Sequence, residues 1–486
     1  MRKTANISTS EAFVKAMPGE WLVLVRSTLA LALVMLSGWL LMYSIFPLYD
    51  PTFPLARDYS TAAQGVVFVL IALGAMRRPR LFSIEPLSVV ALALGVGGVA
   101  LAYLGIDRES PLLMVLSSTL LRITMSWFQI VVGVSLTRLN ARHLSICIAV
   151  ALLFSYAGQY LLFLLPSWAG VAAFVAIPFA CYLLSVPLAR PVFNRFAISE
   201  SPFDSSVTRP SSFLPFSHHL FICLLVFHVV KGFLISFGEV EGTPLRVVLS
   251  PLAILVLACA LLVFRWQVRA DRLFDIAALL IVAGLLLMPL TTLISAHAII
   301  NLMLSSGCAC FSFLFWYLLA SLSARNPHGA VPAFAWGSAL LCFGIVPGAF
   351  LGRLTDQYTL TTPLVAIIIT AVLTWLFVAY YLLCLKRLSF DATILAIQPD
   401  DTPAQVQGNF DSITFVSEQI AHDHGLTPRE TEILALLVRG RSGRYIKDDL
   451  GVSQNTVKAH VRHIYQKLDI HTHQELIDLI EAQASS

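Results

Sequence analysis

Residues 361–387 read TTPLVAIIITAVLTWLFVAYYLLCLKR, an apolar run that holds no Asp, Glu, Lys or Arg until it closes on Lys386 and Arg387. About 20 such residues cross a bilayer as one helix, because hydrocarbon tolerates only a backbone that satisfies its own hydrogen bonds. The run predicts a spanning helix, and the basic pair predicts the side on which it leaves the membrane. It also divides the chain. Residues 388–486 carry 14 of the 28 acidic residues and 8 of the 32 basic ones, which marks them as soluble. The whole chain of 486 residues is 57% hydrophobic and only 12% charged. Soluble chains carry about 25% charged residues, so everything before the run is expected to lie mainly in lipid.

Upstream, the same reading predicts twelve spans in all, starting near residues 21, 59, 84, 112, 143, 169, 218, 245, 273, 293, 330 and 361. The first, from Trp21 to Pro47, is too long for the apolar core of a signal peptide and is expected to be retained. With the N-terminus inside, seventeen Lys and Arg fall in inner segments, Arg77, Arg78, Arg80, Arg265, Arg269 and Arg272 among them. Outer segments hold only Arg57, Arg108, Arg246 and Arg353. That bias predicts an even span count and cytoplasmic N- and C-termini in the cell membrane. The longest connection, about 190–216, is rich in Ser and Pro and falls between the sixth and seventh spans. This six-plus-six layout, over about residues 15–388, resembles the major facilitator superfamily. Its loop from Gly74 to Arg80 lacks the acidic residue of that superfamily's usual motif.

Ionisable and polar groups within lipid are costly and mark candidate sites. Arg122 in the fourth span and His228 and Lys231 in the seventh are such groups, with Asn301 near the outer end of the tenth. Arg122 and Lys231 fall in the outer half of their spans. The resemblance would bring these side chains toward a central cavity open to the exterior, suited to an anionic or polar small molecule. The competing reading is structural, with Lys231 snorkelling to headgroups and Arg122 capping carbonyls or pairing with a carboxylate. The eight cysteines all lie in apolar runs, so no disulfide, metal or cofactor site is expected.

Downstream, residues 388–414 read as an acidic flexible linker and residues 415–486 as a compact domain, which leaves 1–387 as the membrane domain. Thr427, Pro428 and Glu430 form a capping box at a helix start, and Ile433, Leu436 and Leu437 follow with helical period. A short second helix is expected over about 443–450, a turn at Gly451, and a third helix capped by Ser453. In that third helix Val457, Val461, Ile464 and Leu468 make one apolar stripe, while Asn455, Lys458, Ala459, Arg462 and Gln466 share the opposite face. Cationic and amide donors around a small alanine suit a helix laid in a major groove. A fourth helix is expected to begin at Thr472 and Glu475.

From Leu426 to Ile477 these spaced positions resemble the LuxR-type helix-turn-helix domain. The resemblance implies base contacts from Lys458, Ala459 and Arg462, backbone contacts from Thr456 and Lys467, and a homodimer on double-stranded DNA. It departs at Gly443–Lys447, where Asn-x-Glu-Ile-Ala is usual, and at Asp469, where glycine is common. The fold class expected is all-α: a helical bundle in the membrane and a C-terminal four-helix domain. The function expected is a membrane-bound transcriptional regulator that senses a small molecule, with a secondary transporter carrying a regulatory tail as the alternative. No nucleophile with a base, phosphate-cradling loop or phosphoacceptor pattern appears, so enzymatic activity is not expected.

Overall fold

The computed structural model describes residues 18–53, 55–198, 218–236, 254–260, 269–287, 297–326, 329–385, 389–396, 420–421, 424–438, 446–447, 450–451, 453–470 and 475–476. Among them every regular element is helical. The first, α1, joins an α-helix Pro18–Leu40 to a π-helical turn Leu41–Ile45 and a last turn Phe46–Tyr49. There follow α2 (Ala56–Arg77), α3 (Ile84–Asp107), α4 (Pro111–Leu136), α5 (Ala141–Leu164), α6 (Ser167–Ile198) and α7 (His219–Ser236). Then come α8 (Ala270–Leu287), α9 (His297–Arg325), α10 (Ala330–Thr361) and α11 (Pro363–Tyr380), the last prolonged by a π-helical turn Tyr381–Leu385.

Ten helices among the described residues are long and apolar enough to cross a membrane. The helices α1 to α11 begin within four residues of eleven of the expected starts, α8 being the one of them not among the ten. The expected eighth span, near residue 245, lies mostly outside the described residues, of which 254–260 are helical. Local chemistry sets several starts. Asn140 caps α5 by accepting from the His143 N–H at 2.8 Å, and Pro111 and Pro363 open α4 and α11, where a missing N–H costs nothing.

Between α7 and α10 the backbones themselves touch. A Cβ built on Gly348 would lie 2.0 Å from the Val229 carbonyl oxygen, and one on Gly232 would lie 2.3 Å from that of Ile345. In lipid, where no hydrophobic force joins helices, such close approach maximises dispersion. Gly348→Val should therefore force the pair apart and destabilise the bundle by about 1–3 kcal/mol or more. Thermal unfolding of the protein in detergent checks this, and an unchanged midpoint would mean the two helices do not meet there.

The segment expected to begin a flexible tether is instead structured at its start. Phe390–Ala396 forms a short helix, α12, and residues up to Ile397 group with the larger compact unit, the one holding α1 to α11. Phe390 is buried, and Asp391 and Ser389 hydrogen-bond to residues of α8. Composition misled here because an acidic stretch without helical period reads as solvated chain, while its partners lie about 120 residues earlier. The rest of the 388–414 stretch lies outside the described residues.

The smaller unit contains α13 (Pro428–Val438) and α14 (Gln454–Leu468). Ile433, Leu434, Leu437, Ile446, Val457, Ile464, Leu468 and Leu476 pack with Ile420 into one core, with Leu436 and Val461 at its edge. Only Ile446, Lys447 and Leu450 of the expected second helix, and Glu475 and Leu476 of the fourth, are described as helical. Gly451 makes the turn before α14 at φ +64°, a conformation that costs glycine nothing. Arg429 ties this turn to α13 by donating to the Leu450 carbonyl at 2.6 Å.

Candidate nucleic-acid interface and buried polar sites

The start of α14 is fixed by Ser453, whose Oγ accepts from the Thr456 N–H at 3.1 Å. From that anchor Asn455, Thr456, Lys458, Arg462 and Gln466 all face solvent, with Ala459 half-buried among them. The opposite stripe, Val457, Ile464 and Leu468, is in the core. The expected face thus exists as one continuous polar surface.

Lys467 stands apart from it. Its ammonium donates to Glu430 Oε2 at 2.7 Å and to the Gly425 carbonyl at 3.0 Å. Glu430 is 4% exposed and also accepts from the Thr427 N–H at 2.8 Å, while its own N–H donates to Thr427 Oγ1. Burial favours the protonated carboxyl, but the Lys467 ammonium and the Thr427 N–H outweigh it and hold Glu430 down at about 2. The capping box read from sequence is therefore one half of a clasp, and its ionic partner came from the end of the third helix. Only the family likeness had given Lys467 a role, at the DNA backbone.

α14 ends at Asp469, in the left-handed region at φ 54°. An L side chain is strained there, and Asp is among the few that tolerate it. Asp469→Gly should stabilise this unit by about 0.5–1 kcal/mol. A raised denaturation midpoint for the tail in the full chain would show it, and a lowered one would refute it.

In the membrane unit, Arg122 on α4 reaches α2. Its Nε donates to Ser60 Oγ at 2.9 Å and its Nη1 to Gln64 Oε1 at 2.8 Å, and its guanidinium lies 5.4 Å from the centre of the Phe46 ring. Lys231 on α7 donates to Ser312 Oγ of α9 at 3.1 Å. Ser312 Oγ in turn donates to the Cys308 carbonyl of its own helix at 2.9 Å. His228 is buried, donates through Nδ1 to the Leu224 carbonyl at 2.6 Å, and stands edge-on to Phe311 and Phe315. It is held by its own helix and by rings. The Asn301 side chain lies outside those described.

The structure adds a group that hydropathy did not reveal. Asp58 on α2 is paired with Arg353 on α10 through both guanidinium nitrogens, and Arg57 lies 3.8 Å from it and donates to Ser236 of α7 at 3.4 Å. These contacts join the first six helices to the later ones at the Arg57 and Arg353 end. In this conformation the end expected to be open is therefore bridged. The signal was present in the sequence: Arg57, Ser60, Thr61 and Gln64 recur with helical spacing in an otherwise apolar span.

Residues 424–480 match the family model of bacterial regulatory proteins, luxR family. These residues are a LuxR-type helix-turn-helix domain. Over 72 residues the chain is 39% identical to an uncharacterized response regulatory protein, YgeK, of Escherichia coli K12, which covers 14% of this chain. The chain spans about half the length of that curated relative, 49%. The bundle before the LuxR-type domain is similar to the human organic anion transporter MFSD10, with TM-score 0.51 and 14% identity over 79% of this chain and 100% of that one. It is also similar to the major facilitator superfamily proton:xylose symporter XylE, with TM-score 0.50 and 12% identity over 74% of this chain and 95% of that one. The membrane part has the major facilitator fold, and the chain is a multi-pass membrane protein ending in a LuxR-type domain.

Proposed function

We propose that the chain is a one-component transcription regulator of the bacterial cell membrane, with both termini cytoplasmic, that binds promoter DNA as a homodimer and responds to a small molecule through its bundle. The observation that carries this reading is the solvent-facing Asn455, Thr456, Lys458 and Arg462 surface on α14, joined in one chain to a transporter-like fold. A helix with that surface presents bidentate and cationic donors to base edges and phosphates. The LuxR-type domain carries as many acidic as basic groups, eight of each over 424–486, so attraction to DNA comes from their segregation.

In the bundle, Arg122 and Lys231 are hydrogen-bonded to hydroxyl and amide partners and not to a carboxylate; Asp58 acts on Arg122 from nearby but is itself paired with Arg353 and Arg57. Two cations in lipid without a paired anion favour an anionic ligand. A ligand shifts the bundle only by the difference between its affinities for two packings. Footprinting of DNA upstream of neighbouring genes with membranes containing the full chain tests the reading. Protection over two half-sites about one helical turn apart supports it, and no protection at any salt concentration sinks it.

A further inference from the structure

Ser389 to Ala396 are held to the bundle by two aspartates that cap each other's helices. Asp271, in the first turn of α8, accepts from Ser389 Oγ at 2.6 Å, from the Phe390 N–H at 2.5 Å and from the Asp391 N–H at 3.4 Å. Asp391 returns the contact, its Oδ1 accepting from the Ala270 N–H at 3.2 Å. Ser389 Oγ also accepts from the Ala392 N–H at 3.1 Å. Three orphan donors at the two helix starts, the Ala270, Phe390 and Asp391 N–H groups, thereby gain an acceptor on the other helix.

Beneath this clasp Phe390 is 1% exposed, with its ring centre 4.8 Å from that of Phe274. Phe274 lies 5.3 Å from Phe227, which stacks on Phe311 at 3.9 Å, and Phe311 stands 5.5 Å from His228. An unbroken series of rings therefore runs from the tail's first helix to α7, one turn from Lys231. Packed rings do not deform gradually, so a shift of α7 against α9 reaches Phe390 as a changed fit.

We propose that residues 389–396 are a releasable strap: docked, they anchor the tail at Ala396, and freed, they return it to Leu385. Counted along the sequence, 23 residues separate Ala396 from Ile420 and 34 separate Leu385 from it, so release moves the last anchored residue eleven positions back. The consequence for transcription rests on the DNA reading proposed above, but the strap does not. It is tested without DNA.

Hydrogen exchange of the full chain in nanodiscs should show the Phe390 and Asp391 amides protected at least about tenfold relative to open chain. Asp271→Ala and Phe390→Ala should abolish that protection, and Asp271→Asn, which keeps an acceptor oxygen, should retain part of it. Spin labels at Ala392 and at the exposed His463 should give a broader distance distribution in Asp271→Ala than in the wild type. Phe227→Leu, which breaks the ring series while keeping apolar volume, should speed exchange at Phe390. Free exchange of these amides in the wild type, an unaltered distance distribution in Asp271→Ala, or unaltered exchange in Phe227→Leu would each overturn the strap. Failure of the DNA reading would appear separately, as a protected strap in a protein that footprints nothing.

Discussion

Replacing Lys458 and Arg462 together by alanine is expected to lower the affinity of the full chain for its footprinted site by about 30-fold to 10⁴-fold. Each side chain directed at a base edge or phosphate contributes about 1–3 kcal/mol, and 1.4 kcal/mol is a factor of ten. Both side chains face solvent on α14, away from the Val457, Ile464 and Leu468 stripe, so the fold should be unaffected. The two contributions separate by salt. Loss of a phosphate contact weakens all sequences alike and lowers the salt slope by about one unit, whereas loss of a base contact relaxes specificity at one position. Quantitative footprinting at two salt concentrations measures both, and full affinity in the double variant would place the DNA surface elsewhere.

The second large effect is expected inside the LuxR-type domain. Glu430→Ala removes a buried carboxylate, strands the Thr427 N–H and leaves the Lys467 ammonium with only the Gly425 carbonyl and solvent. Losing a cap costs about 1 kcal/mol and unpairing a buried, charged hydrogen bond about 2–3 kcal/mol more. A unit of some 60 residues has only about 5 kcal/mol to lose, so the variant should keep about 1–2 kcal/mol and unfold at a much lower denaturant concentration than the wild type. Lys467→Met should cost less, because Glu430 keeps its Thr427 contact. The pH dependence has a definite sign. Glu430 is depressed from 4.5 to about 2 in the folded state, so its stabilisation is complete above pH 4.5 and drains away as the pH falls toward 2. Glu430→Gln should flatten that acid limb. Circular dichroism of the wild type and the Gln variant across pH 5 to 2 checks it, and parallel curves would show that the carboxylate is not the acid-labile group.

The bundle was legible because a span declares itself locally: twenty apolar residues leave no other solution in lipid, and the starts of α1 to α11 followed. The caps at Thr427 and Ser453 were legible for the same reason, since donor and acceptor are three residues apart. What escaped was pairing at a distance. Asp58 and Arg353 are 295 residues apart, and nothing in either span names the other. Lys467 and Glu430 are 37 apart, and the capping box already gave Glu430 a complete local explanation. The strap escaped because one buried ring and two aspartates do not make a period.

The direct backbone approach of α7 and α10 gives the bundle a gear. At Gly232 and Gly348 a carbonyl of each helix seats in the other like a tooth, so one cannot slide along the other without first lifting away. The two helices are thereby held in register, with Lys231 next to Gly232 on one and Arg353 five residues beyond Gly348 on the other. A displacement of α10 that parted Arg353 from Asp58 while the glycine contacts held would carry Lys231 away from Ser312 as well, so two cations that share no contact would move together.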